Sequence, residues 1–493
     1  MGRFARWLKQ SAKRPDEVFW SFFSKKDCLL LISLPSYLPA AQGRLICLRR
    51  KAGGLAMSEG YFQESGVAMR GRIRSIFGGS IGNLIEWYDF YVYNSFALYF
   101  AKSFAPAGAS QTAQFLNIFG IYAIGFLIRP IGGYILGSLA DRSGRRGALT
   151  LSVLLMCGGS LIVAVLPTYA TIGVAAPILL LLARLLQGIS LGGEYASSAV
   201  YLSEIATERN RGFYSSFQYV TLIGGQVLGS LTLLIMQHLL SGPELEAWGW
   251  RVPFVIGAAA ALFGLYLRRN LVETPDFQRA RAERAVAPPV SPLRQLLGLK
   301  KEFFLVLGLT MGGTTAFYTF STYMATFLVN TVKLSRDDAT LVSFISLLIF
   351  AALQPVFGAI SDRVGRRPVL MWFGILGTVC TVPLLTTLSH THEFLQVLLL
   401  VVAALVIVTG YTSINAVVKS ELFPAGVRAL GVGLPYAIAA SLFGGTAPYI
   451  ALMFKDAGHE TWFYYYVSVL IFGSLLVYWF MADTKKTSRI RSD

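Results

Sequence analysis

A few charged side chains stand inside stretches that are otherwise apolar, and their types set the chemistry open to this chain. The run N-L-I-E-W-Y-D-F-Y-V-Y, residues 83–93, carries Glu86 and Asp89 with Asn83 and Tyr93, at a helical spacing that predicts one shared face. Arg129 sits in F-L-I-R-P-I-G-G, and Arg184 in A-R-L-L-Q-G-I-S-L-G-G-E-Y, which closes on Glu194. An ionisable group inside a membrane span costs about 2.5–3.5 kcal/mol on insertion scales, so each needs a partner, a wet cavity or a ligand. A buried guanidinium can take a carboxylate in a bidentate fork and selects for anions. A buried carboxylate can load and release a proton. The expected assignments are Arg129, Arg184, Lys419 and Tyr93 for an anionic substrate, and Glu86, Asp89 and Glu194 for proton coupling. Lys419 lies near the end of its apolar run, so its ammonium is expected to reach toward the interface. The structural alternative is that these groups only bond helix to helix.

Other chemistries find no residues to carry them. Cys28, Cys47, Cys157 and Cys380 are far apart, and only His390 and His392 of the four histidines are close. No metal site and no disulfide framework is expected. The dipeptide G-K is absent from the chain, so no Walker A loop cradles a phosphate. No catalytic residue is assigned, and the chain is not expected to be an enzyme.

The elements that must hold these groups follow from composition. Of 493 residues, 54% are hydrophobic and only 14% charged, against roughly 25% charged in a soluble chain. The apolar residues fall in runs of about 20, the length that spans a bilayer as a helix. Twelve such runs are predicted, at 76–101, 113–140, 147–167, 173–203, 213–240, 251–271, 302–330, 339–361, 368–388, 394–419, 429–453 and 462–482. The expected fold is an all-α membrane protein of two six-helix halves, 76–271 and 302–483. A charged, Pro- and Ala-rich linker at 272–301 joins them, and a tail at 484–493 follows. Residues 1–75 are an extension expected to be disordered, or upstream of a natural start at Met57 or Met69. Their apolar stretch 28–48 contains Pro35, Pro39 and Arg44 and does not read as a thirteenth span.

The net charge of +17 suggests nucleic acid until its location is read. Lys and Arg crowd alternate loops, including Arg142, Arg145, Arg209, Arg211, Arg363 and Arg366, whereas the opposite loops hold Lys102, Lys333, Arg336 and Lys455. This one-sided bias predicts that both termini are cytoplasmic. The excess positive charge is an orientation signal, and no nucleic-acid partner is expected.

An internal repeat divides the chain. G-S-L-A-D-R-S-G-R-R begins at Gly137 and G-A-I-S-D-R-V-G-R-R at Gly358, 221 residues later. S-E-I at Ser203 and S-E-L at Ser420 recur at nearly the same offset, and each Glu precedes an Arg by seven residues. Duplicated halves are the simplest account. Asp141, Arg142, Arg145, Glu204, Arg211, Asp362, Arg363, Arg366, Glu421 and Arg428 are expected to form a cytoplasmic gate in the loops between spans. Gly188 with Gly192, and Gly225 with Gly229, are expected to let helices approach closely.

The duplicated G-x-[LI]-x-D-R-x-G-R-R, with span one, R-P-I-G-G and R-L-L-Q-G-I-S-L-G-G-E-Y, resembles the metabolite:proton symporter family of the major facilitator superfamily. The stretches F-Y-S-S-F-Q-Y-V-T-L-I-G-G-Q, W-G-W-R-V-P-F, F-Y-T-F-S-T-Y-M and F-P-A-G-V-R-A-L-G-V-G carry the resemblance from about residue 72 to 480. It implies proton-driven import of a small dicarboxylate, 2-oxoglutarate first, by alternating access in a bacterial inner membrane. Citrate, shikimate, other dicarboxylates, and proline or betaine are the alternatives on the same frame. It also implies a monomeric transport unit whose partners are a small anionic metabolite, protons and the bilayer, with the proton gradient in place of any cofactor. A membrane sensor that binds a carboxylate without moving it is the alternative of another class.

Overall fold

Backbone polar groups inside a bilayer must be satisfied within their own segment, and helices do this. The computed structural model describes residues 48–51, 54–57, 83–143, 145–204, 206–268, 294, 296 and 298–490. Residues 1–78 form one unit. Its described part is an antiparallel pair, β1 (Leu48–Lys51) and β2 (Gly54–Met57), with Leu48 opposite Met57. The disorder expected for the rest of residues 1–75, and most of the 272–301 linker, fall outside the described residues.

Residues 79–493 form the second unit. Its long helices are α1 (residues 83–100), α2 (Gln111–Leu127, resuming as Arg129–Ser143), α3 (Arg145–Val165), α4 (Ala175–Glu204), α5 (Arg211–Leu239) and α6 (Val252–Arg268). Then come α7 (Lys300–Phe317, a π turn at Tyr318–Thr322, and Met324–Asn330), α8 (Arg336–Val364), α9 (Arg366–Ser389), α10 (Phe394–Thr412, resuming as Asn415–Leu422), α11 (Arg428–Ala439, a π turn at Ala440–Gly445, and Ala447–Asp456) and α12 (Glu460–Phe480). Each coincides with a predicted span. Among the described residues, nine are long and apolar enough to cross a membrane, with Thr150–Val165 and Gly249–Phe263 as shorter apolar helices. Large apolar side chains point outward, as Phe480, Val469 and Phe304 do, while Gln187, Thr314, Gln354 and Ser361 are buried. That arrangement suits lipid outside and a polar seam inside.

The halves meet through α5 against α8, α2 and α4 against α11, and the π turn of α11 against α2. Gly225 of α5 lies on the backbone of Trp87 and Tyr88 in α1, where an added Cβ would come within 2.7 Å of both. Gly188 and Gly192 of α4 lie on the backbones of Gly125 and Arg129 in α2, closer than any Cβ allows. Gly188, Gly192 and Gly225 thus serve close helix contact, while Gly229 meets α1 less closely.

The structure corrects the D-R-x-G-R-R segments, which are not loops. α2 runs through Asp141 and Arg142 to Ser143, and α3 starts at Arg145. In the second copy a single residue, Gly365, joins α8 to α9 with φ 102°. Only glycine takes that conformation without strain, and a side chain there would strike the carboxylate of Asp483.

Candidate functional site

α2 breaks just before Arg129, and Pro130 explains the break. Proline has no N–H, so it cannot donate to the carbonyl four residues back, which is that of Phe126. Ser441 Oγ, in the π turn of α11, donates to this freed carbonyl at 2.6 Å. The kink therefore ties the two halves together and aims Arg129 inward. The Arg129 guanidinium lies 3.5 Å from the centroid of Phe126 and 4.4 Å from that of Phe90. Arg184, on α4, is fully buried, with its guanidinium 4.4 Å from Phe90 and 4.3 Å from Tyr93. Two cations thus share the ring of Phe90, inside a box completed by Tyr122 and Tyr318. Cation–π contact in a desolvated site is worth about 2 kcal/mol or more, which offsets part of the burial of charge.

Among the described residues Arg184 meets Asp89 only through Gln187, and the side chain of Glu194, a further candidate partner, lies outside the described residues. Nε and Nη2 of both have no hydrogen-bond partner among the described residues. On each guanidinium those two donors form one edge, the edge that grips a carboxylate bidentately.

The face predicted for α1 is divided among several neighbours. Asn83 donates to Thr221 of α5 at 2.7 Å and accepts from Trp87. Asp89 turns to α3 and α4, where Ser160 Oγ donates to its Oδ2 and Gln187 Nε2 donates to the same oxygen at 3.0 Å. Tyr93 donates to the carbonyl of Ile118 in α2 at 2.9 Å, so its hydroxyl is engaged and it meets Arg184 with its ring. Glu86 is buried at 3% exposure. The side chain of Glu194 lies outside the described residues. Side chains three residues apart on a helix point different ways once several neighbours surround it, and spacing alone does not say which neighbour takes which.

Lys419 is a correction too. It does not reach for the interface. α10 unwinds around Ser413 and Ile414 and resumes at Asn415, which turns Lys419 to the seam between halves. It is fully buried and donates to Asn415 Oδ1 at 2.6 Å, an oxygen that also accepts from Tyr195 of α4 at 2.7 Å. Its ammonium lies 4.0 Å from the centroid of Tyr436, which stacks on Tyr195 at 3.6 Å.

At the end of the bundle that carries the D-R-x-G-R-R segments, the expected gate residues converge. Glu204 of α4 pairs with Arg428 of α11. Glu421 lies 3.6 Å from Arg366 and 3.9 Å from Arg211, all three buried. Asp362 accepts from the N–H groups of Gly212 and Phe213 at 2.8 Å each and from Arg366 at 2.9 Å. It thereby caps α5, where the helix dipole favours an anion. Arg363 is not drawn into these contacts; the side chains of Asp141, Arg142 and Arg145 lie outside the described residues. The tail adds what spacing did not reveal. Thr484 donates to Glu421 at 2.7 Å, Arg428 donates to the carbonyl of Arg489 at 3.0 Å, and Asp483 accepts from the N–H of Arg366 at 3.1 Å.

Sequence reasoning passed over Ser160, Gln187, Asn415, Tyr195 and Tyr436. Gln187 carried a signal, since it stands one turn from Arg184 on the same helix face. Ser160 carried none.

Comparison with known proteins agrees with this architecture. The model of the family "Sugar (and other) transporter" matches residues 76–290 and 289–491. The chain is 48% identical over 408 residues to alpha-ketoglutarate permease of Escherichia coli K12, covering 83% of this chain and 93% of that protein. It is 34% identical to the citrate-proton symporter of Klebsiella pneumoniae, covering 77% of this chain and 85% of the other. A crystal structure of D-xylose-proton symporter shares the fold, with a TM-score of 0.68 at 21% identity over 84% of this chain and 98% of that one. Matched over both six-helix halves, the chain belongs to the sugar (and other) transporter family of the major facilitator superfamily, a family of multi-pass membrane transporters and not of enzymes.

Proposed function

We propose that this protein is a proton-coupled symporter that imports a small dicarboxylate, 2-oxoglutarate, by alternating access. The observation that carries the reading is the pair of buried guanidiniums, Arg129 and Arg184, each with Nε and Nη2 unbonded among the described residues. A dicarboxylate brings two negative charges and planar acceptors to such edges. Lys419, a third buried cation near the seam, adds to the attraction for anions. The name of the relative at 48% identity supports 2-oxoglutarate, and the citrate-proton symporter at 34% supports proton coupling and keeps citrate as the first competitor.

In this reading the halves, 76–271 and 302–483, rock about the arginines. The 272–301 linker connects them, and residues 1–75 stand outside the transporting unit. A carboxylate of α1, Asp89 or Glu86, or Glu194 on α4, takes up the proton. The gate of Glu204, Arg211, Asp362, Arg366, Glu421 and Arg428 closes the cytoplasmic side, with the Asp141 segment as its counterpart. Both termini are cytoplasmic, the membrane is a bacterial inner membrane, and the unit works as a monomer. No cofactor takes part; the proton gradient drives accumulation. Coupling of proton to substrate needs a mutual free energy of roughly 1–3 kcal/mol.

Proteoliposomes test this. Labelled 2-oxoglutarate should accumulate under an imposed inward proton gradient, and an uncoupler should abolish the accumulation. Accumulation that survives the uncoupler rejects symport. Absence of counterflow rejects transport and leaves the sensor. Stronger competition by citrate or shikimate than by unlabelled 2-oxoglutarate reassigns the substrate.

A further inference from the structure

Asp89 and Arg184 are joined by an intermediary. Arg184 Nη1 donates to Gln187 Oε1 at 2.7 Å, and Gln187 Nε2 donates to Asp89 Oδ2 at 3.0 Å and to Ser160 Oγ at 2.8 Å. Ser160 Oγ donates in turn to Asp89 Oδ2. All four residues are fully buried. Donor chemistry sets the amide: a guanidinium only donates, so the atom facing it is the carbonyl oxygen and the NH₂ faces the carboxylate. Every bond then runs from the cation toward the anion, and both bonds to Oδ2 are charge-assisted when Asp89 is ionised.

The other carboxylate oxygen is different. Asp89 Oδ1 has no hydrogen-bond partner among the described residues. It lies against the α-carbon of Gly257 on α6, where an added Cβ would overlap it. That contact leaves no room for a side chain at position 257. The charged and titratable groups around Asp89 are Arg184 on α4, Cys157 on α3 and Tyr88 on α1, while α6 meets it with Gly257.

We propose that Gln187 is the positioning residue that couples the proton to the anion site, with the proton carried on Asp89 Oδ1. The inference rests on the symport reading above. The step is simple: an O–H bond forms at Oδ1 as a proton enters from one side, and the same bond breaks as it leaves to the other. A direct contact between Asp89 and Arg184 would lock both charges into one ion pair. The amide spacer holds them apart, occupies only Nη1, and leaves the Nε and Nη2 edge of Arg184 for a substrate carboxylate. Protonation raises the net charge of the Asp89–Arg184 pair by one, which strengthens the pull on an anion. It also turns the Gln187–Asp89 bond from charge-assisted to neutral, about half as strong. Substrate and proton each favour the other's binding, as linkage requires.

The test compares wild type with Gln187→Glu and Gln187→Ala in proteoliposomes. Labelled 2-oxoglutarate is followed in two assays, counterflow without a gradient and accumulation driven by a proton gradient, across acid to alkaline pH. Glu at this position sets a second carboxylate between Arg184 and Asp89, and Ala removes the link. In both variants the ratio of gradient-driven accumulation to counterflow should fall about tenfold or more, and the counterflow that remains should lose its pH dependence. Wild-type accumulation and an unchanged pH profile in either variant overturn the assignment. So does a parallel loss of both activities in both variants, which marks a structural role. Failure of wild type itself to accumulate label under the gradient instead rejects the symport reading, whatever the variants do.

Discussion

Arg129 and Arg184 are both buried among aromatic rings, yet they are held differently. Arg184 is anchored by Gln187, whereas Arg129 lies over the rings of Phe126 and Phe90. Hydrogen bonds to charged groups contribute about 1.5–3 kcal/mol each. Arg129→Ala and Arg184→Ala should therefore each weaken 2-oxoglutarate binding by about tenfold to a hundredfold, measured by calorimetry on purified protein. Lysine at either site keeps the charge but loses the bidentate fork and the planar stack, so Arg129→Lys should recover only part of the loss. Lys419 separates function from stability in the opposite way. A buried ammonium without an ion-pair partner gains nothing from burial, and an apolar residue of like volume is commonly neutral or stabilising there. Lys419→Met is expected to hold or raise the melting temperature while lowering transport. A variant that melts earlier and transports normally contradicts the anion-site role.

Among the elements, the α2–α4 contact sets where both arginines sit, because it is made of glycines placed on backbone. Gly192→Ala drives a methyl into the carbonyl of Arg129 and should cost about 1–3 kcal/mol as overpacking. Gly158→Ala on α3 is its control. Nothing lies within 4 Å of a Cβ there, and alanine is favoured over glycine in a helix by about 1 kcal/mol. Thermal melts in detergent should shift down for the first and up for the second. Pro130→Ala restores an N–H that can reclaim the Phe126 carbonyl from Ser441, so transport should fall while helix content by circular dichroism stays the same.

Over the whole molecule, the halves are joined at one end by charges that differ in exposure, and exposure decides which pair matters. The side chain of Glu204 is 45% exposed, and buried Arg428 keeps the carbonyls of Phe423 and Arg489 without it, so losing Glu204 costs about 1 kcal/mol. Glu421 is 1% exposed among Arg366, Arg211 and Thr484, and removing it leaves buried Arg211 without a carboxylate among the described residues, while Arg366 keeps Asp362, at a cost of about 3 kcal/mol. Glu421→Ala should thus open the gate, read as labelling of a cysteine introduced at Ser361, far more than Glu204→Ala. Truncation after Ala482 removes the contacts of Asp483, Thr484 and Arg489 with the gate and should raise labelling at the same position. Equal labelling in the truncated and full chains would show that the tail does not brace the gate.

What the sequence by itself determined is the set of spans and the buried charges. The cost of placing a residue in lipid is a local sum, so a run such as 394–419 declares itself wherever it lies in the fold, and an arginine inside one stands out. The duplicated D-R-x-G-R-R likewise revealed two halves without reference to any contact. Partnerships were decided only by tertiary structure. Asp89 meets Ser160, Gln187 and Gly257 from three other helices, and Lys419 turns to the tyrosines because α10 unwinds beneath it. Rotation and crossing of helices choose the neighbour, and those depend on backbone approach at glycines and on the kink at Pro130. Hydropathy carries no term for them.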